Sequence, residues 1–206
     1  MSSPTRADVT KLELLDASVH EFAAFGYRRT SMEAIARRAG LSRATVYLHW
    51  SSKEALFRDL VTQLHADRTT AMEAALAESG DVESRLIAML RARYDRFVQL
   101  TASSPAAADL YDSHDRICGD ISTAADTRAR ELVSALVRRA TKDGEIDLRR
   151  VGISSDLLVD VLLGLGHAAK GTDPARSTLE AYEETLAATV RLVVRGLAPG
   201  PPARSN

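Results

Sequence analysis

Arg43, Ala44, Thr45, Tyr47 and His49 stand in one short stretch and are an unusual set for a solvated helix face: a guanidinium, a small residue and a hydroxyl, then an aromatic hydroxyl and an imidazole one turn on. Such a set suits the groove of a DNA duplex, where an arginine can donate two hydrogen bonds to O6 and N7 of a guanine. Lys53, at the opening of the next helix, places a cation where free backbone N–H groups also favour an anion, which is the chemistry of a phosphate contact; the bland alternative is a solvated lysine. Other chemistries are poorly represented. Nothing resembles a nucleophile elbow, a phosphate loop or a paired-carboxylate site, so the chain is not read as an enzyme and no cofactor is expected. Asp112, His114, Asp115 and Asp120 could be drawn as a metal site, but they read as an acidic loop, and no Cys/His spacing suits a metal. His20 and His65 read as partly exposed helix residues.

The elements that must position the Arg43 set are two very short helices. Thr30 and Glu33 have the spacing of a capping box, Met32, Ile35, Ala36 and Ala39 share one face, and Gly40 supplies a positive φ for a tight turn. Ser42 caps the second helix, with Val46 and Trp50 turned inwards. Two short helices crossing at a glycine match a helix-turn-helix, although the same spacing occurs in αα-hairpins of ordinary bundles. Ahead of them, residues 1–6 read as a disordered arm, and a helix with Leu12, Leu15, Val19 and Phe22 on one stripe ends at Gly26. Behind them, Ser51 and Glu54 form a second capping box for a long helix with Leu56, Phe57, Leu60, Val61 and Leu64 buried.

Asp81 can cap the next helix, in which Val82, Leu86, Leu90, Arg93 or Tyr94, and Phe97 recur. Ser104 and Pro105 open a short helix to Tyr111, and residues 112–119 read as a loop. Ile121, Ala125, Leu132 and Leu136 mark another helix, closed by Lys142 to Gly144, and residues 144–152 form a connector. The last two helices carry broad apolar surfaces, one with Leu157, Leu158, Val161, Leu162 and Leu165 around Gly164 and Gly166, the other with Leu179, Tyr182, Leu186, Val190, Val193 and Leu197. Residues 199–206 are a tail of proline and glycine without large apolar groups.

A chain of 206 residues, 45% hydrophobic, can bury a substantial core. Its net charge of −1 excludes a globally basic coat for nucleic acid, yet residues 1–60 hold nine basic against seven acidic side chains, so a local basic patch remains available. Cys118 has no intramolecular partner, the N-terminus has no apolar signal region, and Asp156, Asp160 and His167 interrupt the most apolar stretch. A cytoplasmic protein without a membrane span is expected.

Leu14-Leu15-Asp16-Ala17, Phe22, Gly26-Tyr27, Thr30-Ser31-Met32, Ile35-Ala36, Ala39-Gly40-Leu41-Ser42, Val46-Tyr47-Leu48-His49-Trp50 and Ser52-Lys53-Glu54-Ala55-Leu56-Phe57 closely resemble the N-terminal domain of TetR-family transcriptional regulators. Trp50 stands where the family more often has phenylalanine, and Arg43-Ala44 fills positions that vary with the operator. The resemblance implies that Tyr47, His49 and Lys53 contact phosphates, that Arg28 and Thr30 or Ser31 anchor the DNA backbone further, and that Ser42, Arg43, Ala44 and Thr45 face the bases. It also implies that the last two helices build a four-helix dimer interface, for which Leu158, Leu162, Leu165, Leu186, Val190 and Val193 are the candidates.

The expected architecture is all-α: a helix-turn-helix DNA-binding domain over residues 8–54 with its motif at 30–49, a linking helix over 52–78, and a helical bundle over 81–198 for effector binding and dimerisation. Met89, Arg93, Tyr94, Phe97, Tyr111, His114 and His167 are the candidates for an effector cavity, with plain core packing as their alternative. The expected function is that of a homodimeric repressor on a palindromic double-stranded operator, released by a small molecule. The rivals are a DNA-binding module controlled by a protein partner and a helical-bundle enzyme or scaffold without DNA binding.

Overall fold

In the computed structural model the described residues are 5–101, 104, 106–169 and 178–199, with the side chains of 95–101, 107, 108, 111 and 167 outside the description. The expected tail and most of the N-terminal arm lie outside it, as do the side chains of Phe97, Tyr111 and His167. The described elements are helical throughout: α1 (Arg6–Arg29), α2 (Met32–Arg38), α3 (Arg43–His49), α4 (Lys53–Ala77), α5 (Val82–Thr101), α6 (Ala107–Lys142), a 3-10 turn (Leu148–Arg150), α7 (Ser155–Ala168) and α8 (Leu179–Gly196). They form two compact units, one of residues 1–66 and 103–124, the other of residues 67–102 and 125–206. This division differs from the contiguous one expected from sequence, because the first half of α6 belongs with the N-terminal helices.

In the first unit α1 starts on a capping box between Thr5 and Asp8 and buries Leu14, Leu15, Ala17, Val19 and Phe22. Leu12, expected inside, is 57% exposed, and Leu14 takes its place in the core. Helical geometry breaks at Gly26 (φ 79°), where an added Cβ would run into the Asp109 carboxylate of α6. Phe22, Tyr27 and Phe57 close around this turn, with ring centroids 5.0 Å apart for Phe57 against either neighbour. Trp50 is buried, and its indole N–H donates to Asp59 at 2.8 Å, which satisfies its one polar atom.

Three local expectations are corrected here. Thr30 does not cap α2: it is buried, its hydroxyl donates to the carbonyls of Gly26 (2.7 Å) and Glu21 (3.1 Å), and Ser31 is the cap, accepting from Ala34 N–H at 3.1 Å. Ser52, not Ser51, caps α4, accepting from Ala55 N–H at 3.1 Å. The acidic loop at 112–119 is helix. Ser113, Ile117 and Cys118 form its buried side, Asp112, Asp115 and Asp120 its outer side, and the backbone bends at Cys118 (φ −124°, ψ 15°). The guanidinium of Arg58 holds that bend, donating to the Ile117 carbonyl and in a fork to both oxygens of Asp120 at 2.9 and 2.7 Å.

The second unit is a helical bundle around Met72, Leu86, Met89, Leu90, Val133, Leu136, Val137, Leu158, Leu162, Tyr182, Leu186 and Val190. Asp81 caps α5 as expected, accepting from Ser84 N–H at 2.8 Å. Gly166 lies against the ring of Tyr94, where any larger side chain would collide, so its small size serves the chain's own packing. The dimer-interface candidates divide by their burial within the single chain. Leu158, Leu162, Leu186 and Val190 are at most 1% exposed within the single chain, and Leu165 and Val193 are partly buried against the same core. The apolar groups that these helices turn outwards are Leu157 (49%), Val161 (39%) and Leu192 (73%).

Candidate nucleic-acid interface

The turn between α2 and α3 is built by Gly40 at φ 68°, and α3 begins at Ser42, whose hydroxyl accepts from Thr45 N–H at 3.1 Å and meets Thr45 Oγ1 at 2.8 Å. Val46 is wholly buried and Trp50 nearly so, so they anchor α3 by one side. Helical periodicity then turns Arg43, Ala44, Tyr47 and Leu48 outwards, and all four are exposed. α2 is held to α1 by a second anchor, Arg38 Nε donating to the buried Glu21 carboxylate at 2.6 Å.

Arg43 is exposed but not idle. Its Nη1 pairs with Glu33 at 2.6 Å, Nη2 reaches the Tyr47 hydroxyl at 3.5 Å, and the guanidinium lies 5.2 Å from the centre of the Tyr47 ring. The contacts to Tyr47 and Glu33 raise the Arg43 pKa, and Glu33 is lowered, chiefly by its hydrogen bond to the backbone and in smaller part by Ser31 and Arg43. The guanidinium is thereby held at the exposed start of α3 by Glu33 and Tyr47. Neither Glu33 nor Leu48, 84% exposed, was singled out by sequence reasoning. Glu33 was assigned to capping, and Leu48 was given no role although Val46 and Trp50 were read as the inward groups.

The remaining predicted contacts divide. Ser31 and Ser42 are exposed caps, Thr45 and His49 are partly exposed, and Arg28 is exposed while pairing with Asp109 at 3.0 Å and donating its backbone N–H to the same carboxylate at 2.9 Å. Thr30 is buried and turned away from the surface. Lys53 departs furthest from expectation: its ammonium donates to the carbonyls of Tyr27 (2.7 Å) and Thr30 (2.9 Å) and sits 4.4 Å from the centre of the Tyr27 ring. It caps the end of α1, where a cation meets the negative end of the helix dipole. Burial pushes its pKa down and the more distant Asp109 charge opposes that.

Of the effector candidates, Met89, Arg93 and Tyr94 are brought together on α5 within the second unit, all buried. Tyr94 donates to the Leu163 carbonyl at 3.0 Å, and Arg93 donates to Asp126 at 3.0 Å. Met89 and Tyr94 also belong to the apolar core. His114 belongs to the first unit, where it lies on α6 and meets Ser122 Oγ at 3.2 Å.

A three-helix unit whose last two short helices meet at a glycine turn, with one face of the second exposed, has the architecture of a helix-turn-helix. Residues 14–60 match the model of bacterial regulatory proteins of the tetR family. The chain is 32% identical over 82 residues to the uncharacterized HTH-type regulator YdgC of Bacillus subtilis, covering 38% of this chain and 42% of that one, so it spans less than half of that relative's length. It is 27% identical over 172 residues to an HTH-type transcriptional repressor of Mycobacterium tuberculosis, covering 80% of this chain and 84% of the relative. Its fold matches the crystal structure of a TetR-family transcriptional regulator from Cytophaga hutchinsonii with a TM-score of 0.72 at 12% identity, over 97% of this chain and all of the other. Over residues 14–60 the chain therefore carries the DNA-binding region of tetR-family regulators, and over most of its length it shares their fold. Among the described residues no helix is long and apolar enough to cross a membrane.

Proposed function

We propose that this regulator is a homodimeric repressor of the cytoplasm that binds a palindromic operator and is released by a small molecule. The observation that carries the DNA half is the exposed row Arg43, Ala44, Tyr47 and Leu48, backed by Val46 and the caps at Ser31 and Ser42. A helix of two turns covers too few base pairs for useful specificity, and a two-fold pair presents two such helices to successive grooves, with half-sites roughly 34–36 Å apart or somewhat more. Leu157, Val161 and Leu192, exposed on α7 and α8, are the surface a second copy would cover. The repressor assignment of the Mycobacterium relative supports the direction of the effect.

The experiment is selection of bound fragments from genomic DNA, followed by a reporter placed behind the recovered sequence. An inverted repeat whose reporter is silenced by the protein is expected. A recovered sequence without symmetry would overturn the dimer reading, and a reporter switched on by the protein would overturn repression.

A further inference from the structure

Among the described residues of the second unit a buried and a partly buried guanidinium share one carboxylate. Arg68 on α4 and Arg93 on α5 have side chains 15% and 7% exposed, and both reach the same oxygen of Asp126 on α6, at 3.4 and 3.0 Å. Among the described residues two positive charges face one negative, the guanidiniums are poorly hydrated while the Asp126 carboxylate is half exposed, and an arginine cannot shed its charge by losing a proton. The donors carry the same imbalance: Arg93 Nε and Nη1 and Arg68 Nε are buried without a hydrogen-bond partner among the described residues. The face of the Tyr94 ring lies 5.1 Å from the Arg93 guanidinium. Arg85 also leaves its Nη1 without a partner among the described residues, but it differs in being paired with a carboxylate of its own, Glu145. Burial and the neighbouring Arg93 charge both press the Arg68 pKa down, as expected of like charges held together.

We propose that Arg68 and Arg93 bind the carboxylate of a small organic acid, the class of effector to which this regulator answers, an assignment that rests on the small-molecule control proposed above. One monoanion balances the charge and takes up the orphaned N–H groups, whereas a phosphate monoester would bring close to two negative charges. Met72 stands one turn beyond Arg68 on α4 and Met89 one turn before Arg93 on α5, both fully buried, so an apolar body attached to the carboxylate meets two unbranched side chains that repack readily.

The test uses the full chain and three probe acids, acetate, benzoate and octanoate, each beside its neutral amide, with inorganic phosphate as a further arm. Titration calorimetry and thermal unfolding are expected to show binding by at least one acid, at least tenfold weaker binding by its amide, and no effect of phosphate beyond that of chloride. Arg93→Met should weaken the bound acid at least tenfold while leaving the melting temperature of the free protein unchanged or higher, since Asp126 then faces Arg68 alone; Arg68→Met should do the same. Equal affinity for acid and amide, binding of phosphate alone, or no binding of any acid overturns the proposal. So does a fall in melting temperature with acid affinity intact, which would make the pair purely structural. Should both variants fail to fold, the acid-to-amide comparison on the unaltered chain decides by itself. An acid that binds as expected yet leaves the protein on its operator confirms the site and refutes small-molecule control of DNA binding, while operator release by an amide alone does the reverse.

Discussion

If Arg43 reads a base, as proposed, it is held in place before that base arrives. Its guanidinium already has a carboxylate partner and an aromatic platform, so binding a guanine exchanges one set of contacts for another. Arg43→Ala is expected to weaken operator binding roughly ten- to hundredfold and to relax preference at one base position per half-site. Fluorescence anisotropy on single-base operator variants measures both, and an equal loss on every sequence would reduce Arg43 to a phosphate contact. Glu33→Ala should act in the opposite sense, because the carboxylate both competes for Arg43 and repels the phosphate backbone, and affinity should rise several-fold. Lys53 carries a different expectation. With its donors spent on the carbonyls of Tyr27 and Thr30, Lys53→Met should lower stability by about 1–2 kcal/mol, the scale of charge-assisted hydrogen bonds at a partly exposed position. Its salt dependence of DNA binding should be unchanged; a slope reduced by one ion would return Lys53 to the phosphates.

At the scale of the element, α6 shows what periodicity can and cannot reveal. The core stripes of α4 and α5 were legible because Leu56, Leu60, Leu86 and Leu90 recur at helical spacing and are large. In α6 the stretch from Asp112 to Asp120 buries Ser113, Ile117 and Cys118, only one of them a large aliphatic, so its buried face leaves little trace in a count of apolar residues. Its outward carboxylates looked like a loop because their partner, Arg58, is remote in sequence and meets Asp120 only once the chain is folded. The caps at Ser31 and Ser52 were missed by one residue because Thr30 and Ser51, with Glu33 and Glu54 three residues on, fit the capping-box pattern and the true caps, followed by Ala34 and Ala55, do not; the burial of Thr30 under α1 decides the first case. The fork from Arg58 holds the Asp120 carboxyl down at about 2. A depressed carboxylate stabilises the fold above its unfolded pKa and ceases to do so as pH falls through the folded one. Wild type should therefore lose melting temperature relative to Asp120→Asn between about pH 4 and pH 2, and the two curves should meet below that window. Parallel curves across the window would mean that the fork does not form in solution.

At the scale of the whole molecule, the outward side chains of α7 and α8 and the burial of their inward ones separate two effects that sequence alone merged. Leu186 is fully enclosed within one chain, so Leu186→Glu should cost about 3–5 kcal/mol by burying an unpaired charge and should unfold the bundle whatever its oligomeric state. Leu157→Glu combined with Leu192→Glu changes exposed positions, so the variant should stay folded, sediment as a monomer and lose operator binding. A folded monomer that binds the operator as the wild type does would remove the dimer from the account. Control by an effector adds a stricter requirement. A ligand of the second unit weakens DNA binding only if it prefers a form of the protein that the operator disfavours, since equal affinity for both forms shifts nothing. The boundary between the units falls inside α4 and inside α6, so any such preference has two continuous helices in which to be expressed. A hundredfold weakening of DNA binding needs roughly 2.7 kcal/mol of coupling, and the operator must weaken the ligand by the same factor. Measuring the ligand's affinity for the free dimer and for the operator complex tests this directly: a ratio near one hundred is expected for an effector that weakens DNA binding a hundredfold, and equal affinities would detach the bundle from control of the recognition helices.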